Sequence, residues 1–90
     1  MSEPARPTLL EFPCEFPIKI MGARVDAFAQ AVVEVVLRHA PDFDPASVEM
    51  RPSRKGNYLA ITCTIRAVSQ QQLDELYREL SSHPLVKVVL

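Results

Sequence analysis

The sequence has no tryptophan and, over 90 residues, only two glycines and two cysteines. So little glycine excludes collagen-like and low-complexity chains, and the missing tryptophan removes the bulkiest aromatic anchor. Cys14 and Cys63 stand far apart and form no disulfide framework. No apolar run approaches the ~20 residues that cross a bilayer. The opening MSEPARPTLLEF has neither the basic start nor the apolar stretch of a secretory signal, so a cytoplasmic chain is expected. An excess of one charge is also missing. Ten Lys and Arg against eleven Asp and Glu leave a net −1, which gives no bulk attraction to polyanions and leaves local basic patches open. What remains is ordinary for a globular chain, 48% hydrophobic and 23% charged, with length for one domain.

Residues 1–12 are expected to be a tail. Pro4 and Pro7 lie among small and polar residues, and Leu9, Leu10 and Phe12 end the tail in an apolar arm that docks. Residues 13–90 make the domain. Phe16, Ile18 and Ile20 alternate with Pro17, Lys19 and Met21, the period of a first strand, which Gly22 is expected to break. Val25, Phe28, Ala29, Val32, Val33, Val36 and Leu37 recur at helical spacing up to His39, and Pro41 ends that helix. Asp42, Asp44 and Pro45 make a loop. Val48 and Met50 give a short second strand stopped by Pro52, and Ser53–Asn57, with Gly56, reads as a hairpin connection.

The third strand has the clearest pattern. Leu59, Ile61, Cys63 and Ile65 share one face, with Tyr58, Ala60, Thr62, Thr64 and Arg66 on the other. Ser69 and Gln72 form a capping-box pattern opening a second helix, whose apolar stripe is Leu73, Leu76, Tyr77 and Leu80. Leu85–Leu90 makes the last strand. The order β-α-β-β-α-β predicts an α+β, ferredoxin-like sandwich: a four-stranded antiparallel sheet, strands one and three central, with both helices on one face.

The segments Leu9–Pro13, Ile20–Gly22, Arg38–Pro41, Pro52–Tyr58 and Val86–Leu90 resemble the YbeD-like family of small bacterial proteins, with the Lys55-Gly56-Asn57-Tyr58 hairpin the most specific part. The resemblance covers residues 9–90. It implies a ferredoxin-like fold similar to the ACT regulatory domain of amino-acid biosynthetic enzymes, a cytoplasmic protein, and no established activity. Arg54 stands where the family more usually has a small serine, which makes this hairpin more basic.

Catalysis and metal binding find little support in the residues. Cys14, Cys63, His39 and His83 contain no close ligand pair of the kind structural zinc needs. Cys63 belongs to an apolar face, and Cys14 lies beside Glu15, which disfavours a thiolate. Asp42 and Asp44, and Asp74, Glu75 and Glu79, read as solvated loop and helix surface. Neither glycine belongs to a phosphate-cradling motif. No cofactor, no metal and no enzymatic activity are expected.

Two surfaces are the candidates for binding. Taking Ile18, Ile61 and Val88 as facing the helices, the opposite face presents Lys19, Arg51, Thr62, Thr64, Arg66 and Lys87 against Glu49, a local balance of four cations to one anion. Arg54, Lys55 and Tyr58 extend it at the hairpin. This face suits a protein partner, or weak electrostatic nucleic-acid binding, since its central positions lack the stacking aromatics of RNA-recognition sheets. The second candidate is the turn Met21-Gly22-Ala23-Arg24, where amides at a helix start can hold an anion or carboxylate. ACT-like resemblance implies small-ligand binding near this turn, often across a dimer interface. The expected protein is a non-catalytic regulatory or interaction module, monomer or homodimer, binding a protein partner or small effector, with weak nucleic-acid binding as the alternative.

Overall fold

A computed structural model describes residues 11–90. Residues 1–10 of the expected tail, with Leu9 and Leu10 of its apolar arm, lie outside those residues, while Phe12 is half-buried against the core. The elements are β1 (Cys14–Ala23), α1 (Asp26–His39), a 3-10 turn η1 (Pro45–Ser47), β2 (Glu49–Pro52), β3 (Tyr58–Ala67), α2 (Gln70–Ser82) and β4 (Val86–Val89). All pairings are antiparallel and the sheet order is β2-β3-β1-β4, so the two ten-residue strands are central as expected. This is the ferredoxin-like βαββαβ sandwich.

The core lies between the sheet and the two helices. Ile18 and Ile20 of β1 and Ile61, Cys63 and Ile65 of β3 meet Phe28, Val32, Val35 and Val36 of α1 and Leu73, Leu76 and Leu80 of α2. Each buried leucine contributes about 1.5–3 kcal/mol, which makes the three-leucine stripe of α2 the main hold of that helix on the sheet. Tyr77 sits at the margin, its ring edge-on to Phe16 at 6.5 Å and its hydroxyl donating to the Leu90 carbonyl.

Three details depart from the pattern. Gly22 does not break β1; the strand runs through it to Ala23, with Gly22 opposite Leu59 and Val86. Its role is to admit a neighbour. A Cβ there would meet the Leu85 carbonyl oxygen at 2.3 Å and the Phe28 ring at 2.5 Å, so the missing side chain is the space that Phe28 occupies. In α1 the buried stripe includes Val35, while Val25 is exposed and serves as N-cap. Phe43, in the loop after Pro41, is buried, its N–H held by the Ala40 carbonyl at 2.9 Å.

The second helix opens as the capping pattern predicts, with one change. Ser69 Oγ accepts from the Gln72 N–H, but Gln72 Oε1 reaches to the Val68 N–H rather than to that of Ser69. Its Nε2 donates to the His39 carbonyl at 2.8 Å, so one side chain ties the start of α2 to the last turn of α1. Glu79 reinforces this junction by accepting from both Arg38 and His39.

Candidate functional site

Cross-strand pairing fixes what the face away from the helices displays. In an antiparallel ladder directly opposed residues share a face. Glu15, Pro17, Lys19 and Met21 of β1 oppose Arg66, Thr64, Thr62 and Ala60 of β3, and Glu49 and Arg51 of β2 oppose Thr62 and Ala60. Lys19, Arg51 and Arg66 therefore share this face as the sequence predicts, with Tyr58 at its end opposite Ala23. Arg54 and Lys55 lie exposed in the hairpin beyond it. Gly56 takes φ 77° there, the left-handed conformation that lets the chain reverse.

The last strand corrects the expected register. Its ladder pairs Ile20 with Val89, Met21 with Val88 and Gly22 with Val86, so a bulge falls at Lys87. Val88 lies on the open face beside Met21, not against the helices; Val86 and Val89 pack toward the core instead. Lys87 is the unpaired extra residue, exposed at the sheet margin. Glu15, opposite Arg66, also belongs to the face. The ladder positions thus carry three cations (Lys19, Arg51, Arg66) against two anions (Glu15, Glu49), a net of +1 instead of the +3 the simple alternation gave. Alternation has no signal for a bulge, which is why Lys87 and Val88 exchanged places.

The open face is therefore mixed. A depression of about 480 Å³ is lined by Lys19, Glu49, Met50, Arg51, Ala60 and Thr62, toward β2. Toward β4 the face turns apolar with Met21, Val88 and Leu90, the last paired to Lys19 through backbone hydrogen bonds. A paired-charge floor beside an apolar shoulder suits recognition of a surface with both characters more than a uniform polyanion.

The Met21–Arg24 segment differs from the helix-start loop the sequence suggested. Met21, Gly22 and Ala23 are strand residues, and Gly22 is closed off by Phe28 and Leu85. The Arg24 N–H donates to the Asn57 carbonyl, the Val25 N–H to Ala23 and the Phe28 N–H to Val25, while Asp26 places its own carboxylate in the first helical turn. These contacts use the amides of Arg24, Val25 and Phe28, and the Asp26 carboxylate opposes an anion at this helix start. Arg24 itself, with Val25, Asp26, Ala29, Met50 and Leu59, borders a shallow depression of about 310 Å³.

The ionisable groups fall into two sets. Burial pushes the Cys63 thiol up to about 11, so it is a protonated core residue. Hydrogen bonds from Arg38 and then His39 hold Glu79 below the usual carboxylate range, an assembly that joins the helices away from the open face. Among the described residues no three His, Cys, Asp or Glu side chains gather in a way that could hold a metal ion. None of the described helices is long and apolar enough to cross a membrane.

Comparison with known proteins agrees with the fold and sharpens the kinship. The solution structure of protein HP0495 from H. pylori superposes with a TM-score of 0.76 at 13% identity, covering 100% of this chain and 94% of that one. A UPF0250 protein of Bordetella pertussis is 58% identical over 97% of this chain and 96% of its own length, as is one from Leptothrix cholodnii. A UPF0250 protein of Nitrosomonas europaea is 52% identical over 92% of this chain and 95% of its own. The family model described as a protein of unknown function, DUF493, matches residues 7–90. With that match and relatives sharing more than half their residues, the chain belongs to the DUF493 family, the UPF0250 or YbeD-like group of small bacterial proteins.

Proposed function

We propose that the protein is a non-catalytic interaction module of ACT-like character that binds a protein partner or a small effector through the bare side of its sheet. One observation carries this reading: both helices pack on one side, and the other presents a shallow, mixed-charge depression with an apolar shoulder. Cys63 is buried, and one ring nitrogen of each histidine is engaged, Nε2 of His39 by Glu79 and Nδ1 of His83 by the Leu85 N–H. Weak nucleic-acid binding, the alternative from sequence, loses support from the lower face charge, because Glu15 and Glu49 interrupt the basic positions.

Amide shifts of the isotope-labelled protein, titrated with amino acids and common metabolites and then with candidate partner proteins, test the reading. Perturbation at Lys19, Arg51, Ala60 and Thr62, abolished by Lys19→Glu with Arg51→Glu, is the expected outcome. Silence at these positions with both classes of titrant overturns it. Binding of single-stranded RNA that weakens steeply with salt and is lost in Arg66→Glu would favour the electrostatic alternative.

A further inference from the structure

Sheet edges carry unpaired backbone groups, and proteins blunt them with proline, charge or bulges to prevent unwanted strand pairing. Hydrogen-bond alternation shows where this sheet does so. Lys19 donates to the Leu90 carbonyl at 3.3 Å and accepts from the Leu90 N–H at 2.8 Å. Two residues earlier Pro17 turns the same way, past the end of β4, and has no N–H to offer. In β2, the Ser53 N–H donates to the Tyr58 carbonyl at 2.8 Å, so Arg51 and Glu49 also face β3 while Met50 and Pro52 face outward. Pro52 again removes a donor. The outer strand β4 is four residues long and carries the bulge at Lys87.

One stretch of edge is not blunted. β2 ends at Glu49, opposite Thr62, because the preceding residues coil into η1, whereas β3 continues to Ala67. Thr64 and Arg66 have the backbone orientation of Thr62, so their N–H and C=O groups point past the end of β2. Among the described residues the β2 register ends opposite Thr62 and gives neither of them a partner on that side. Beside them lies a depression of about 500 Å³, bordered by Thr64, Ile65 and Arg66 and walled by Asp42, Phe43 and Asp44.

We propose that this gap binds an extended, cationic peptide segment of a protein partner, added as a short strand against Thr64–Arg66. The proposal rests on the binding-module reading and names its partner class and site. Thr64 and Arg66 are spaced roughly 7 Å apart along the strand, the repeat at which an added strand pairs every second residue. The incoming residue opposite Ile65 points to the helix side, where Phe43 supplies apolar surface, so an apolar residue belongs there. Its neighbours point to the open face. Glu15, Asp42 and Asp44 against Arg66 give the surroundings a net −2, which selects basic flanking residues.

The test is a titration of the labelled full chain with acetyl-Lys-Thr-Val-Thr-Lys-amide up to about 10 mM, a range that captures weak binding. Two control peptides are used. One has proline at both threonine positions, with the same charge but no N–H to pair. The other has glutamate in place of both lysines. The expected result is saturable shifts at Thr64 and Arg66 and at least tenfold slower amide exchange there. The proline peptide gives neither effect, and the acidic peptide, or the Asp42→Lys variant, binds at least threefold more weakly. Absence of shifts, or equal shifts with the proline peptide, overturns the proposal. Exchange protection at Thr64 and Arg66 without peptide also overturns it: independent of concentration, it makes residues 1–10 the occupant, and rising with concentration, a second copy. Any of these results, with perturbation of the Lys19–Arg51 depression by another titrant, leaves the broader binding reading standing.

Discussion

Replacing Gly22 with alanine adds one methyl group, and the structure gives that methyl two neighbours. The Leu85 carbonyl oxygen would stand 2.3 Å away and the Phe28 Cε1 2.5 Å, both well inside van der Waals contact. Phe28 is fully buried among the core residues of both central strands, so its ring has no free space to enter. The carbonyl belongs to the backbone that leads into β4 and moves only if that strand moves. Overpacking a tight site costs typically ~1–3 kcal/mol, and a backbone neighbour puts Gly22→Ala at the top of that range, about 3 kcal/mol. Against a total stability of roughly 5–15 kcal/mol this is a large fraction. It corresponds to a fall in Tm of about 12–24 °C for a domain of this size. Urea unfolding followed by far-ultraviolet circular dichroism measures it, with thermal melts as the second readout. Pairing the change with Phe28→Leu separates the two neighbours. The double variant should be less destabilised than the sum of the singles by at least about 0.5 kcal/mol, because the ring conflict is relieved while the carbonyl conflict stays. A Gly22→Ala protein within about 0.5 kcal/mol of the parent, or strict additivity, refutes the reasoning.

Three further outcomes follow from particular contacts. Ser69→Ala removes the N-cap acceptor of α2 and costs about 1 kcal/mol by urea unfolding; Gln72→Ala, which frees both the Val68 N–H and the His39 carbonyl, should cost at least as much, and a smaller loss would show that the bridge between helices contributes little. The folded-state pKa of Glu79 is lowered from 4.5, so its stabilising contribution is present above about pH 4.5 and lost as pH falls through the lower folded value; the stability gap between the parent and Glu79→Gln should be flat above that pH and close below it, and a gap that widens in acid contradicts the assignment. A thiol reagent at pH 8 should modify the half-buried Cys14 and spare Cys63, giving one reactive thiol in the native protein and two in urea; two native thiols would refute the burial of Cys63.

The sequence made the fold legible where one physical rule acts alone. β3 alternates cleanly because its two faces meet different surroundings, and the Leu73–Leu80 stripe follows from one helix side meeting the sheet. Ser69 and Gln72 revealed a helix start, since a cap is a local contact. Less was visible where two distant segments negotiate. Gly22 looked like a breaker because glycine commonly is one; that it makes room for Phe28 depends on a helix residue six positions later folding back over the strand. Phe43 lay in a stretch of aspartates and prolines with no periodicity to mark it as core. The bulge at Lys87 arises from pairing with β1 and left no trace in Val86–Val89 itself. Of the candidate surface, Lys19, Arg51 and Arg66 emerged correctly from alternation, while the counter-charge of Glu15 needed the register. The gap beside Thr64 was invisible, because it is made by where β2 stops rather than by any residue within it.

The prolines at positions 17 and 52 also bear on how copies of the molecule behave when crowded. Growth of a ribbon of subunits requires two competent margins on every copy, one to receive and one to offer. A position without an N–H cannot serve as the receiving margin of such a ribbon: Pro52 withholds a donor along the outer side of β2 and Pro17 one beyond the end of β4, so growth through those positions is disfavoured.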